Sequence, residues 1–241
     1  DKERGGYLLA DDAVKGRGIA QEKQLVTQSR MIWGFAHAHL KGFSTGQRNY
    51  LDAAEQGHRF LRAHFLDREH GGYYWKTDLD GKVTSAVKNL YAEVFAIYAL
   101  VELHRANGRP EPLQQALELY RVLQQRTHDP KHEGWFEHFT RDWQLITNRT
   151  AGADIEVPGL KSANTHLHLM EAYAELYDAT KDKDVRKSLA EAIEVNAKYF
   201  YPEDAGKSAF HRQPDWKPVT DPKSAGVSYG HNVEFAWLLI R

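Results

Sequence analysis

The chain has 241 residues, and its 32 basic and 33 acidic side chains give a formal net charge of −1, which removes the basic excess of a nucleic-acid-binding protein. With 41% hydrophobic, 27% charged and 12% aromatic residues it is composed like a globular protein rather than a disordered one, and no run of about 18 apolar residues offers a membrane span. Cysteine is absent, which excludes disulfides, thiolate nucleophiles and thiolate-bound metals, whereas 13 histidines are many for this length.

In chain order, the first 20 residues are Gly-rich and polar, and Gly5-Gly6-Tyr7-Leu8-Leu9 predicts a short strand. From 22 to 41 the spacing of Leu25, Ile32, Phe35, Ala36 and Leu40 predicts a helix, stopped by Gly42. Ser44 or Thr45 is the expected cap of a second helix with Tyr50, Leu51, Ala54, Phe60, Leu61 and Phe65 on its apolar side. Residues 67–87 read as a loop holding a hairpin, with Gly72-Tyr73-Tyr74-Trp75 extended and Asp80-Gly81 as its turn. Helix 88–106 is apolar over most of its circumference and reads as central, while helix 111–127 is more polar. A second Gly-Trp loop, Gly134-Trp135-Phe136, lies in 128–160. Helices 161–180 and 184–200 follow, the second polar on one side. The loop 202–227 holds four of the eight prolines, and a last helix starts near Ser228 and runs to the end of the chain.

Arg30, Tyr91, His168 and His231 fall at like places in alternate helices, so a helical hairpin plus its loop repeats at roughly 60–75 residues. Alternate helices are the more apolar, which predicts two layers, one contacted all round and one half wet. The reading is one all-α domain over 1–241.

Three strings carry candidate chemistry. In Lys161-Ser162-Ala163-Asn164-Thr165-His166-Leu167-His168-Leu169-Met170-Glu171, residues Asn164, His168 and Glu171 share one helix face. That stripe either lines a wet cavity or forms a buried hydrogen-bond network. In Ser228-Tyr229-Gly230-His231-Asn232-Val233-Glu234, His231 and Glu234 are one turn apart in the first turns of a helix, where the dipole favours a neutral imidazole. A neutral His near pH 7 is what proton abstraction from carbon requires. Arg30, among apolar neighbours on an apolar helix, needs either a carboxylate partner or an anion to face. Lys88, Tyr91 and Phe95 form a comparable stripe at i, i+3 and i+7. The aromatics Tyr73, Tyr74, Trp75, Trp135 and Trp143 either stack on sugar rings or cover the core. No metal is expected: His166 and His168 are two apart on a helix and cannot share an ion, and there is no His-Glu-x-x-His; the alternative is a His/carboxylate site of His168, Glu171, His231 and Glu234, which requires their helices to face each other. Phosphate loops and nucleophile elbows are missing as well, so no nucleotide or other cofactor is expected.

The strings S-R-M-I-W (29–33), H-G-G-Y-Y-W (70–75), K-N-L-Y-A-E-V-F-A-I-Y-A-L (88–100), K-S-A-N-T-H-L-H-L-M-E-A-Y (161–173) and S-Y-G-H-N-V-E-F-A-W-L-L (228–239) stand in one order along nearly the whole chain. Together they resemble the N-acylglucosamine 2-epimerase family, most closely its cellobiose 2-epimerase branch. The resemblance implies an (α/α)6 barrel, of which about seven of twelve helices would be present, and a sugar 2-epimerase working without cofactor. It implies that a His removes the C2 proton of a ring-opened, reducing-end aldose of the cellobiose or glucose/mannose type, and that an enediolate is reprotonated on the other face.

By that likeness His231, His168 and Glu234 are the catalytic residues, and Arg30, Tyr91 and Asn164 bind substrate. His166 is not carried over. Departures are Asn232 for the family's Asp, and Ala92-Glu93 for its Gly-Gln. The family's second acid/base His lies in a C-terminal motif with no counterpart here, so the chain is expected to be truncated at both ends and inactive alone. An aldose–ketose isomerase of the same family and an (α/α)6 glycoside hydrolase are the alternatives. The expected partner is a mono- or disaccharide, with no nucleic acid and no membrane. The protein is expected in the cytoplasm, as a monomer or homodimer.

Overall fold

The computed structural model of the chain describes residues 1–12, 17–18, 20–148, 157–204, 208–221 and 224–240. Among them the regular structure is seven α-helices, two of which run on into five-residue π-helical turns at Leu61–Phe65 and Asn196–Phe200, joined by loops whose strands are only two or three residues long. The helices are α1 (Leu25–Leu40), α2 (Tyr50–Phe60), α3 (Leu90–Asn107), α4 (Pro110–Thr127), α5 (Ala163–Thr180), α6 (Lys183–Val195) and α7 (Tyr229–Ile240). Internal contacts divide the chain into two compact units, Asp1–Lys88 with Phe95–Val122, and Asn89–Val94 with Leu123–Arg241.

In the first unit α1 packs against α2 as a helical hairpin. The helix expected from residue 22 begins at Leu25, because Glu22–Gln24 pair as a strand with Lys76–Asp78. That strand pairs in turn with Val83–Ser85, and Gly81, at φ +91°, turns the chain between them. The strand expected at 5–9 does not form, and the segment is irregular, with Gly5 and Gly6 at φ +79° and +62°. The cap of α2 is Asn49, whose Oδ1 accepts the Asp52 N–H at 3.2 Å. Thr45 is taken up in a separate turn with Arg48, and Ser44 Oγ accepts the N–H of Tyr50 at 3.3 Å and meets His39 Nδ1 at 2.9 Å.

A device the periodicity does not show recurs two residues before α1, α3 and α5. Lys23, Lys88 and Lys161 are fully buried there. Lys23 Nζ donates to Gly5 O (2.8 Å) and Leu79 O (2.6 Å) and lies 3.1 Å from the Asp1 carboxylate. Lys88 donates to Asp67 Oδ2 (3.1 Å) and Gly71 O (2.9 Å). Lys161 donates to Asp129 Oδ2 (2.8 Å), Glu133 O (2.6 Å) and Pro214 O (2.9 Å). For each lysine one carboxylate and one carbonyl come from a repeated segment seen in Asp1…Gly5-Gly6-Tyr7, Asp67…Gly71-Gly72-Tyr73 and Asp129…Glu133-Gly134-Trp135. A buried ammonium is tolerated only when it is paired and its protons are used, and each loop supplies both. Lys88 therefore stands outside the helical stripe expected with Tyr91 and Phe95.

Helices α3 and α5 are buried around most of their circumference, while α2, α4 and α6 each keep a wet face, as the alternation of apolar content predicts. Two helices depart from this: α1 exposes Arg30 and Met31, and α7 exposes Tyr229, Val233, Trp237 and Ile240. The loop aromatics Tyr73, Trp135 and Trp143 are buried and cover the core.

In the second unit α5 packs on α6 and contacts α7. The start of α5 is fixed three ways. Lys161–Ser162 pair as a strand with His211–Arg212, which delays the helix to Ala163. Ser162 Oγ accepts the Thr165 N–H (3.1 Å) and donates to Glu137 Oε2 (2.7 Å), a capping bond that satisfies an end N–H. Lys161 ties the same point to two loops. Beneath it Val195, Phe200 and Trp216 pack with Ala163.

Candidate active site

Two helices of the second unit build the site. From α5, Asn164, His168 and Glu171 project on one face. From α7, His231 and Glu234 do the same one turn apart. His231 Nε2 lies 2.9 Å from Asn164 Oδ1, and His231 Nδ1 lies 2.5 Å from Ser228 Oγ. A carbonyl oxygen only accepts, so Nε2 carries the proton and Nδ1 accepts from the Ser228 hydroxyl. His168 Nδ1 donates to Glu171 Oε2 at 3.0 Å, which fixes that ring. Tyr91 stands edge-on to His168, with ring centres 5.6 Å apart at 73°. A ring nitrogen of His168, one of His231 and a carboxylate oxygen of Glu234 lie within 4.8 Å of one another. The alternatives left open by the sequence, wet cavity or hydrogen-bonded network, meet here: the stripe is hydrogen-bonded across helices, and His231 and Glu234 remain half-buried.

Burial holds the His231 pKa below the usual imidazole value; the Glu234 carboxylate opposes this and the His168 charge adds to it. The imidazole is thus neutral near pH 7, as a base must be, and desolvation is the first cause.

Arg30 belongs to the first unit. The burial expected for it does not occur: it is exposed on α1, and its guanidinium lies over the Phe95 ring at 4.8 Å. Solvent meets the charge, so no carboxylate partner is required. His166 lies on the other side of α5 from His168 and is fully buried. It donates from Nδ1 to Ser162 O (2.7 Å) and accepts the Trp135 N–H at Nε2 (3.1 Å). Its work is structural.

Two residues at the site were missed from the sequence. Ser228 holds His231 and could have been found as a hydroxyl three residues ahead of a helix-start His. Tyr201 stacks on Phe235 at 4.6 Å. Its hydroxyl is buried beside Glu234 without a hydrogen-bond partner among the described residues. Burial and that carboxylate both raise its pKa, so it stays protonated. No local pattern marks it.

An all-α scaffold of helical hairpins carrying a His–Asn–Glu cluster on two of its helices defines a protein of the (α/α)6-barrel class. Its structure superposes on the cellobiose 2-epimerase of Spirochaeta thermophila DSM 6192 with a TM-score of 0.87 and 34% identity, covering 100% of this chain and 57% of that one. The profile of the N-acylglucosamine 2-epimerase (GlcNAc 2-epimerase) family matches residues 13–241, and the chain belongs to that family. Among its relatives are a cellobiose 2-epimerase of Bacteroides fragilis, 32% identical over 99% of this chain and 59% of its own length, and a D-mannose isomerase of Thermobifida fusca, 28% identical over 85% of this chain and 49% of its own. The chain thus spans under two thirds of the relatives it matches. Among the described residues no helix is long and apolar enough to cross a membrane.

Proposed function

We propose that this chain supplies one acid/base half of a carbohydrate 2-epimerase that inverts C2 of a reducing-end aldose, of the cellobiose or glucose/mannose type, in the cytoplasm. The observation that carries the reading is the contact of His231 with Asn164 and Ser228, with Glu234 and His168 beside it.

In this reading His231 Nε2 exchanges its Asn164 contact for the C2 hydrogen of the opened sugar. The ring first changes tautomer through solvent: Nε2 gives its proton to water, Nδ1 takes one from water, and the Ser228 hydroxyl turns from donor to acceptor. His231 Nε2 then takes the C2 proton, and the electron pair moves onto the C1 oxygen as an enediolate. A positive group facing C1–C2 stabilises that charge, and Arg30 is the residue assigned to it by family likeness. Asn164, Tyr91 and the free hydroxyl of Tyr201 bind sugar hydroxyls. His168, its ring fixed by Glu171, acts on ring opening. Glu234 stabilises the His231 imidazolium once it forms.

Inversion needs an acid on the opposite face of C2. The family's second His has no match in these residues, so the 241 residues alone are expected not to turn over. A family protein containing this chain, incubated with cellobiose, glucose and mannose in D2O, is expected to place deuterium at C2 with inverted configuration by NMR. No exchange at any C2 overturns the reading. A ketose product supports the second reading, an aldose–ketose isomerase, which the D-mannose isomerase relative favours and which shares the enediolate.

A further inference from the structure

We infer that a cleft in the first unit, formed by the segment 62–73 and the helix α4, is a second binding site, and that it takes one neutral sugar ring in its closed form. The site shares no residue with the acid/base cluster of the second unit and needs no chemistry at C2, so it stands apart from the proposed function.

The cleft has a volume of about 340 Å³. That is near the lower end for small-molecule sites, about 300–1,000 Å³, and leaves room for a single ring rather than an oligosaccharide or a dinucleotide. Leu66, Leu119 and Val122 give it an apolar surface. Gly71 is bare backbone across from Val122, and a Cβ there would lie 3.4 Å from Val122 Cγ2, so a side chain at 71 would narrow the space.

Four polar side chains line the same cleft: Arg62, Arg68, Gln115 and Glu118. Arg62 pairs with Glu111 through Nη1, but its Nε–H is buried without an acceptor among the described residues. A buried donor left unmade is costly, and a ligand oxygen would remove that cost. Arg68 is exposed and gives one long bond, 3.5 Å, to Arg62 O. Gln115 spends its Oε1 on His58 Nε2 at 2.8 Å, which leaves its amide N–H groups to donate. Glu118 is exposed, with no cation paired to it among the described residues.

Charge decides the class of ligand. Glu111 answers the charge of Arg62, so Arg68 and Glu118 are the two charges left to face an occupant. An anion would gain from Arg68 and be repelled by Glu118, and a cation would meet the reverse. Neighbouring hydroxyl groups suit both, because each hydroxyl donates and accepts. A planar guanidinium can donate to two adjacent oxygens, and a carboxylate can accept from two adjacent O–H groups. The C–H face of a sugar ring would then cover the leucine and valine surface. A small zwitterion also answers both charges, but pairs at exposed side chains are worth little, and it would leave that apolar surface bare.

The test is an NMR titration of the unaltered, nitrogen-15-labelled chain with methyl α-glucoside, whose blocked anomeric oxygen keeps the ring closed. The Gly71 and Gly72 amide resonances are expected to shift and saturate with a Kd of about 1–10 mM, the range for so small a ligand. Arg68→Ala and Glu118→Ala, both at exposed positions, should each weaken that binding by about 5- to 10-fold. Arg121→Ala, exposed on α4 and outside the cleft, should change nothing. Three results would each overturn the inference: no shift at these glycines up to about 100 mM, where such a site is nearly full; unchanged affinity in both cleft variants; or tighter binding of acetate, methylammonium or glycine than of the glucoside. The glycine shifts are read on the unaltered chain, so a variant that fails to fold does not decide the question. Glucoside binding at the cleft without C2 exchange on a reducing sugar would sink the epimerase reading and leave this one standing; exchange with silent glycines would do the reverse.

Discussion

Replacing His166 with phenylalanine should change how the stability of the chain depends on pH. The geometry assigns the neutral form with the proton on Nδ1, because Ser162 O accepts there and the Trp135 N–H fills Nε2. A second proton on Nε2 would face that N–H inside the core. Burial, with the Lys161 charge adding to it and the Ser162 bond and Glu191 opposing, pushes the pKa from 6.5 to about 3. The folded state therefore binds the proton less readily than the unfolded state does. The stability this group contributes is complete above pH 6.5 and is lost as the pH falls from 6.5 towards 3, at up to about 1.4 kcal/mol per pH unit. Over the whole interval that amounts to about 5 kcal/mol, a large part of a typical domain's stability. The substitution would leave the Trp135 N–H without its acceptor, a loss of about 1–3 kcal/mol at pH 7, but a phenyl ring has nothing to titrate. By pH 4 linkage has taken about 3.5 kcal/mol from the unaltered chain, so the two stabilities should meet or cross between about pH 4 and pH 6. Asp129 and Glu191 also have lowered pKa values; burial, the largest single influence, works against this in both, and the hydrogen bonds and charges of Lys161 and His128 together with backbone N–H bonds outweigh it. Both act in either protein and cancel in the difference. Urea unfolding followed by circular dichroism at pH 4, 5, 6, 7 and 8 supplies the comparison. Equal pH slopes for the two proteins, or an NMR titration of His166 near its ordinary value, would refute the reasoning.

Lys161→Met should cost about 3–5 kcal/mol, because it leaves the Asp129 carboxylate buried with only the N–H groups of Lys131 (3.0 Å) and His132 (3.2 Å). Adding Asp129→Asn should recover part of that, and a single-variant loss under about 1 kcal/mol in urea would count against the buried ion pair. Ser228→Ala should destabilise the Nε2–H form of the neutral His231 ring by about 1 kcal/mol. Nitrogen-15 shifts of the labelled ring report the two forms directly, and an unchanged ratio would mean that Ser228 does not set the tautomer.

The helices were legible because each is a local periodic statement: Leu90 to Leu103 or Leu167 to Leu176 can be read without knowing the partner. The ends were not, because they are decided at long range. Nothing in Glu22-Lys23-Gln24 announces that Lys76–Asp78 will claim it as a strand. Nor does Lys88 announce that Asp67 will draw it off the helix. The repeat of an Asp, four residues, Gly and an aromatic at 1–7, 67–73 and 129–135 does carry that information, but only once three buried lysines give it a meaning. The site divides in the same way. Asn164, His168 and Glu171 follow from one helix, as do His231 and Glu234 from another. Their meeting does not, since Asn164 and His231 are 67 residues apart, and only the order of the strings implied it. Arg30 shows the opposite error. Apolar neighbours in sequence suggested a buried charge, but α1 has a wet side and Arg30 lies on it. Local pattern thus tells which residues share a face, and packing decides which face is dry. Its cost falls on residues such as Ser228 and Tyr201, whose partners come from that packing.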